Sequence, residues 1–204
     1  MSAEFDAVVF DLGGVLIDWN PRHLYRQLFD DEDDMERFLA EVCTLEWHVA
    51  HDLGVDTKES CIELALAHPD HAELIHAWAD RSEDMISGAI DGTVAVLADL
   101  KAKGVPCYVL SNMERETYPV RRAQFVFIDW FDGHVISGLE GLVKPDPRIF
   151  RRLLRRFDLE PTRTVFIDDN QANIDAAAEL GIHALRFESA EKLRSDLTNL
   201  GLLN

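Results

Sequence analysis

Apolar positions along this chain follow two rhythms. Short, nearly unbroken apolar runs occur at residues 7–10, 106–110, 133–137, 164–167 and 182–187. Runs that are continuous rather than alternating predict parallel strands covered on both faces. Longer stretches with helical spacing lie between them. Residues 93–103 and 172–180 each end just before a glycine, Gly104 and Gly181, the usual left-handed terminator of a helix. Residues 147–157 form a third, with Ile149, Phe150, Leu153, Leu154 and Phe157 as its apolar stripe and Arg151, Arg152, Arg155 and Arg156 as its wet face. Strand and helix in alternation predict an α/β fold on a doubly wound parallel sheet.

Residues 18–88 break that alternation, with helical signals and no convincing strand. Asn20-Pro21 is a helix start, an N-cap followed by proline at the first helical position. Asp56 with Glu59 three residues on resembles a capping box opening a helix to Ala67, and Pro69-Asp70 begins another running to about Met85. An all-helical insertion that leaves the sheet directly after Asp11 would sit over the sheet edge as a small cap. The expected organisation is a core of residues 1–17 and 89–204 with a helical cap of residues 18–88. The acidic run from Asp30 to Asp34 is expected to be a solvated loop and helix start.

Composition narrows the partners. The 204 residues, 47% hydrophobic and 28% charged, suffice for one core domain with a modest insertion. No stretch approaches the roughly 18–20 apolar residues of a spanning helix. The start, Met1-Ser2-Ala3-Glu4-Phe5-Asp6, is acidic and does not read as a signal peptide, so a cytoplasmic protein without membrane association is expected. With 38 acidic against 20 basic residues the net charge is −18, which disfavours nucleic acid as a partner. The same field repels a phosphorylated small molecule, so a site for one needs local cations. Cys43, Cys61 and Cys107 show no close spacing and are expected to be reduced, Cys107 within a buried strand. Monomer and homodimer are both compatible with this composition.

Polar residues gather where the strands end. Asp11 follows the first run and Ser111-Asn112 the second; Lys144-Pro145 comes after the third; Asp168-Asp169 follow the fourth, with Asn173 one helical turn on. Singly, each suits a helix cap or a solvated side chain. Four sets at one edge of one sheet, where open α/β sheets bind ligands, are harder to explain that way. Their chemistry suits transfer of a phosphoryl group to a carboxylate, a reaction whose charge repulsion cations must offset. Asp11 and Asp169, with a backbone carbonyl from the turn at Gly13, are hard oxygen donors of the kind Mg2+ prefers. The ion could bridge nucleophile and phosphate. Asp168 would complete the metal shell or hold its waters, and Asn173 would orient Lys144 or the metal ligands. Lys144 would add a second positive charge, and Ser111 and Asn112 would donate hydrogen bonds to the phosphoryl oxygens.

The segments Val9-Phe10-Asp11-Leu12-Gly13-Gly14-Val15-Leu16, Val109-Leu110-Ser111-Asn112, Gly141-Leu142-Val143-Lys144-Pro145-Asp146-Pro147 and Phe166-Ile167-Asp168-Asp169-Asn170 occur in the order of the haloacid dehalogenase-like hydrolase superfamily, which the chain resembles over nearly its whole core. The resemblance implies a Rossmann-like sheet with a small helical cap inserted after the first strand. It also implies Asp11 as nucleophile and aspartyl-phosphate carrier, Ser111 as phosphate ligand, Lys144 as charge stabiliser and Asp169 as the main acidic metal partner. Gly13 departs from the pattern. Most phosphatases of this superfamily carry a second aspartate there, which protonates the leaving alcohol and then activates water. Glycine keeps the backbone carbonyl for the metal but removes general acid–base help worth about 10² to 10⁴ in rate. The segment Asp11-Leu12-Gly13-Gly14 is most similar to the branch that includes sugar-1-phosphate phosphatases.

Two accounts fit that glycine. A leaving group that needs little protonation, such as an anomeric hydroxyl, would tolerate the loss; alternatively His48 or His51 could reach in from the cap. The first is preferred. Within the cap, Glu46-Trp47-His48 and His51-Asp52-Leu53-Gly54 are the candidates for a substrate-facing loop, and Trp19 could line the entrance. His48 and His51 could form half of a zinc site, but no third ligand of clear spacing accompanies them. The leading expectation is a Mg2+-dependent phosphatase of a small phosphorylated metabolite, a sugar phosphate being favoured. Its rivals are a metal-independent 2-haloacid dehalogenase and a phosphate-binding scaffold with reduced turnover.

Overall fold

The computed structural model describes residues 5–204, so the expectation for Met1 to Glu4 lies outside the described residues. The chain opens with strand β1 (Ala7–Phe10) and a short strand β2 (Ile17–Trp19). Five helices follow: α1 (Pro21–Tyr25), α2 (Glu32–Glu41), α3 (Leu45–Asp52), α4 (Thr57–Ala67) and α5 (Ala72–Asp80). Strand β3 (Ile86–Ala89), helix α6 (Asp91–Ala102) and strand β4 (Cys107–Ser111) lead back to the sheet. Then come α7 (Thr117–Gln124), β5 (Gly133–Ile136), α8 (Ser137–Glu140) and α9 (Pro147–Arg156). Strand β6 (Thr164–Asp168), α10 (Gln171–Glu179), β7 (His183–Arg186) and α11 (Ala190–Asn199) complete the fold.

The main sheet is all parallel in the order β5-β4-β1-β6-β7. β1 is its centre, and all four of its residues are buried. Successive side chains of a strand point to opposite faces, so an unbroken apolar run serves two cores at once. Val8 and Phe10 pack with Val96, Leu97 and Leu100 of α6 and Leu193 and Leu197 of α11. Val9 packs with Ile149, Phe150 and Leu153 of α9 and Ile174 and Ala177 of α10 on the other face. This is the doubly wound α/β sheet anticipated from the apolar runs. The chain passes from β1 to β4 and β5 on one side, then crosses back to β6 and β7 on the other. The crevice at the C-terminal end of β1 is the topological switch point, where such sheets take ligands.

Helices α1–α5 enclose a separate apolar cluster of Tyr25, Met35, Phe38, Cys61, Ile75 and Trp78. The helix starts read from the sequence carry the expected caps. Asn20 Oδ1 accepts from the Arg22 N–H at 3.0 Å, Asp56 Oδ1 from Glu59 at 2.9 Å, and Asp31, in the acidic run, from Asp34 at 3.0 Å. Two expectations need correction. Residues 69–85 are not one helix: α5 is flanked by single 3₁₀ turns, Pro69–His71 and Ser82–Met85. The insertion is also not free of strand. β2 and β3 pair antiparallel at its two ends, Ile17 opposite Ala89. Such a ribbon escapes a sequence reading because Ile86-Ser87-Gly88-Ala89 has little strand propensity of its own. The strand ends shift as well: Ser111 and Asp168 are the last residues of β4 and β6, and Ser137 opens α8. All three cysteines are free and buried. Of the four arginines on α9, Arg152 and Arg156 both grip Glu140, at 2.8 and 2.7 Å.

Candidate active site

The Asp11 N–H donates to the Ile167 carbonyl of β6 at 2.9 Å, extending the ladder one residue past β1 and fixing where the side chain emerges. Its Oδ1 accepts the Leu12 N–H at 2.7 Å. Its Oδ2 lies 2.8 Å from the ammonium of Lys144, which is only 3% exposed. The same ammonium donates to Asp168 Oδ2 at 2.6 Å and lies 5.6 Å from the centre of the Phe166 ring. Asp168 is fully buried, and its oxygens also accept the Asn170 N–H at 2.8 Å and the Asn173 amide at 3.0 and 3.1 Å. Asn173 therefore acts on Lys144 at one remove, through Asp168.

Asn112 ties the lysine loop to the end of β4. Its amide donates to the Lys144 carbonyl at 3.0 Å, and its Oδ1 accepts the Lys144 N–H at 2.8 Å. One N–H and the oxygen of the side-chain amide thus clamp the lysine loop, while the second N–H has no partner among the described residues and Asn112 lines the same cavity as Asp11. Ser111 is buried, its hydroxyl 3.5 Å from the Asn112 carbonyl, and hydrogen bonding from it helps hold the Asp11 carboxyl down.

Three carboxylates and one cation share this edge, and the imbalance is visible in their acidities. Burial pushes Asp11 up to about 7; Lys144 pulls against that shift, and Asp168 adds to it. Burial and the Asp168 charge likewise raise Asp169. Burial would lower Lys144, but the two carboxylates it bridges outweigh this and hold it above the usual lysine range. One oxygen from each of Asp11, Asp168 and Asp169 lies within 4.8 Å of the others. No other described residue hydrogen-bonds the Asp169 carboxylate. Hard oxygen donors in excess of the local cations fit a divalent ion such as Mg2+. Asp11, Asp168 and Asp169 would hold it together, Asp168 with both oxygens also bound by Lys144, Asn170 and Asn173 and Asp169 with its carboxylate hydrogen-bonded to no other described residue.

Gly14 makes room for Asp169. Its φ is +71°, and a β-carbon there would come within 2.4 Å of Asp169 Oδ2. Gly14→Ala is expected to displace that carboxylate and raise the Mg2+ needed for half-maximal activity by about tenfold or more, which a titration of activity against Mg2+ would measure. Gly13 is unlike its neighbour. Its φ lies outside the positive range, and an added β-carbon would meet nothing nearer than Trp19 Cβ at 4.0 Å.

A cavity of about 610 Å³ lies between this edge and helices α1–α5. Asp11, Gly13, Asn112, Lys144, Asp169 and Asn173 form its floor; Trp19, His48, Asp52, Trp78 and Met85 form much of its roof. Trp19 stacks on His48, ring centres 5.1 Å apart. Glu46, Trp47 and His48 sit on helix α3, not on a loop. Neighbours on a helix point about 100° apart, so His48 faces the cavity while Trp47 turns into the cap cluster, against Trp78 and His51. His51 is fully buried, and neither ring nitrogen has a hydrogen-bond partner. Burial lowers both histidines, His48 to about 4. Glu114, from the loop after β4, lies within 4.8 Å of both, but its oxygens accept from Thr57 at 2.7 Å and Thr117 at 2.9 Å. Glu114 is a cavity group that the sequence did not single out, and Asp52 was named only as part of a candidate substrate-facing loop, with no chemical role, because neither occupies a strand end. The helical phase of α3, which groups His48, Asp52 and Leu45 on one face, is the signal that could have found Asp52.

No helix among the described residues is long and apolar enough to cross a membrane. Among characterised proteins, a sesquiterpene phosphatase of Aspergillus oryzae is 26% identical over 187 residues, covering 92% of each chain. Other curated relatives are longer, and the chain spans less than half of some of them. A Bacteroides thetaiotaomicron enzyme solved with magnesium and inorganic phosphate superimposes with a TM-score of 0.67 at 20% identity, over 91% of this chain and 95% of that one. The L-2-haloacid dehalogenase of Xanthobacter autotrophicus does so with a TM-score of 0.68 at 18% identity, over 96% and 83%. Residues 5–181 match the family described as haloacid dehalogenase-like hydrolase, and the chain belongs to that family.

Proposed function

We propose that the protein is a Mg2+-dependent phosphatase of a small phosphorylated metabolite, working through an aspartyl-phosphate on Asp11. The observation that carries this reading is the Lys144 ammonium seated between Asp11 and Asp168, beside an Asp169 carboxylate that forms no close ion pair with any described residue. A dehalogenase has no use for that spare acid, because extra negative charge beside the nucleophile only opposes attack. A bound magnesium ion supplies the positive charge that lets a carboxylate approach a phosphate dianion.

The chain's own groups do the rest. Asp11 attacks phosphorus, and Lys144, Ser111 and the backbone after β4 bind the phosphoryl oxygens as charge spreads over them. Asp168, Asn173 and Asn112 hold Lys144 in place. Residues 18–88 act as the cap that closes the site against water, with His48 and Trp19 facing substrate. A sugar phosphate fits the resemblance of the Asp11 segment. A second reading, an ester with an apolar or aryl body, is favoured by Trp19, Trp78, Met85, Ile17 and Val49, which put rings and alkyl groups in the cavity lining beside its polar residues.

Release of phosphate from a panel of sugar, prenyl, aryl and short alkyl phosphates tests the reading. Turnover is expected with Mg2+ and is expected to fall at least about 100-fold on chelation. Chelator-resistant turnover of a 2-haloacid would instead assign the dehalogenase reaction.

A further inference from the structure

The phosphatase reading leaves one step without a residue. Gly13 has no side chain to protonate the leaving oxygen or to take a proton from the attacking water. The cap holds a carboxylate with no structural employment. Asp52, the last residue of α3, is 6% exposed, lines the same cavity as Asp11 and Gly13, and accepts no hydrogen bond from any described residue. His48 Nε2 lies 4.0 Å from its Oδ2, too long for a hydrogen bond. A buried carboxylate without a partner costs stability, and a fold retains such a group where it has a use.

We infer that Asp52 is the general acid and base of the reaction, supplied by the cap in place of the side chain missing at Gly13. This rests on the phosphatase reading above. As Asp11 forms its bond to phosphorus, the bond from phosphorus to the leaving oxygen breaks with its electron pair staying on that oxygen. Asp52 delivers its proton there, leaving an alcohol and an Asp52 carboxylate. Water then attacks the aspartyl-phosphate and gives a proton to Asp52. The bond to Asp11 breaks, and its electron pair restores the Asp11 carboxylate. One proton leaves Asp52 and one returns in each cycle.

The surroundings suit the task. The groups facing Asp52 are His48 and His51 on its own helix, Glu114 from the loop after β4, and Asp11 and Lys144 on the floor. Burial pushes Asp52 up to about 7, with Glu114 and Asp11 adding to the shift and Lys144 opposing it. An acid of that strength is protonated for a large fraction of the time near neutrality, as a general acid must be. His48, lowered to about 4, is the neutral imidazole under the same conditions and far too weak an acid for the task.

The test is kcat/KM, which reports the steps up to breakage of the ester bond, measured over esters from alkyl phosphates to p-nitrophenyl phosphate. Wild type is expected to depend weakly on leaving-group acidity. Asp52→Asn is expected to lose about 10² to 10³-fold on an alkyl phosphate and less than about tenfold on p-nitrophenyl phosphate. The alkaline fall of the wild-type alkyl profile, set by loss of the Asp52 proton, disappears in the variant. On p-nitrophenyl phosphate the variant accumulates aspartyl-phosphate, recoverable by acid quench, because water activation is lost too. Gly13→Asp added to Asp52→Asn is expected to restore alkyl turnover, since the glycine has room for a side chain. An equal loss on every ester, or none, overturns the assignment. A steep wild-type dependence overturns it as well, even if the variant fails to fold. If wild type hydrolyses no ester in an Asp11-dependent manner, the phosphatase reading itself fails and takes this inference with it.

Discussion

Asp11→Asn is expected to abolish turnover, by roughly 10⁴ to 10⁶-fold, while leaving the fold intact. Asparagine has the same shape as aspartate but cannot form a stable bond to phosphorus. The substitution is mild structurally. Lys144 keeps Asp168 at 2.6 Å, and the Leu12 N–H keeps an oxygen acceptor. Burial already pushes the Asp11 carboxyl up to about 7, so replacing it by a neutral amide removes an awkward charge from a crowded acidic site. Thermal unfolding of the metal-free variant should match or exceed wild type. Trapping gives a second readout: beryllium fluoride with Mg2+ should mimic the aspartyl-phosphate on wild type and raise its melting temperature, and should do neither on the variant. A scaffold that had lost catalysis would have no turnover to lose, so measurable wild-type turnover removed by this one atom exchange separates enzyme from scaffold.

What was legible in the sequence follows from how each feature is encoded. The run from Ala7 to Phe10 carries its own evidence of burial on two faces, and the polar residues at the ends of β1, β4 and β6 inherit their position from the strands. Asp11, Lys144 and Asp169 are therefore assigned to one edge by the sequence alone. Features that depend on contacts distant in sequence were not legible. The β2–β3 ribbon joins Ile17 to Ala89 across the whole insertion, and neither strand declares itself locally. That the Asn112 amide also clamps the Lys144 loop is decided by packing alone. Trp47 and His48 differ by one residue, yet the phase of α3 sends one into the cap and the other into the cavity. The role of Asp52 was hidden in the same way. Its importance comes from the absence of partners around it, and the lack of a contact has no sequence signature.

Lys144→Met should separate what the lysine does for folding from what it does for catalysis. Its ammonium is buried and bridges two carboxylates, so removing it strands Asp11 and Asp168 without a cation. Breaking a buried ion pair from one side costs about 3–5 kcal/mol, more than the pair contributes over an apolar substitute, because the penalty is that of the abandoned charge. The single variant is thus expected to unfold at much lower temperature, most severely at alkaline pH. The sign follows from Asp11, whose folded-state pKa, already pushed up to about 7 with Lys144 present, lies above its unfolded value and rises further without the lysine: the folded protein binds the extra proton, so stability is present at low pH and drains away as pH rises through the folded pKa. Adding Asp168→Asn removes one of the stranded charges, and Asn173 can turn its amide to suit the new side chain. The double variant should recover a large part of the lost stability. It should recover no activity, staying at least about 10² to 10³-fold below wild type, because no cation from the protein then meets the phosphoryl oxygens. If stability and activity return together, Lys144 is a structural counterion and the positive charge in the transition state must come from the metal alone.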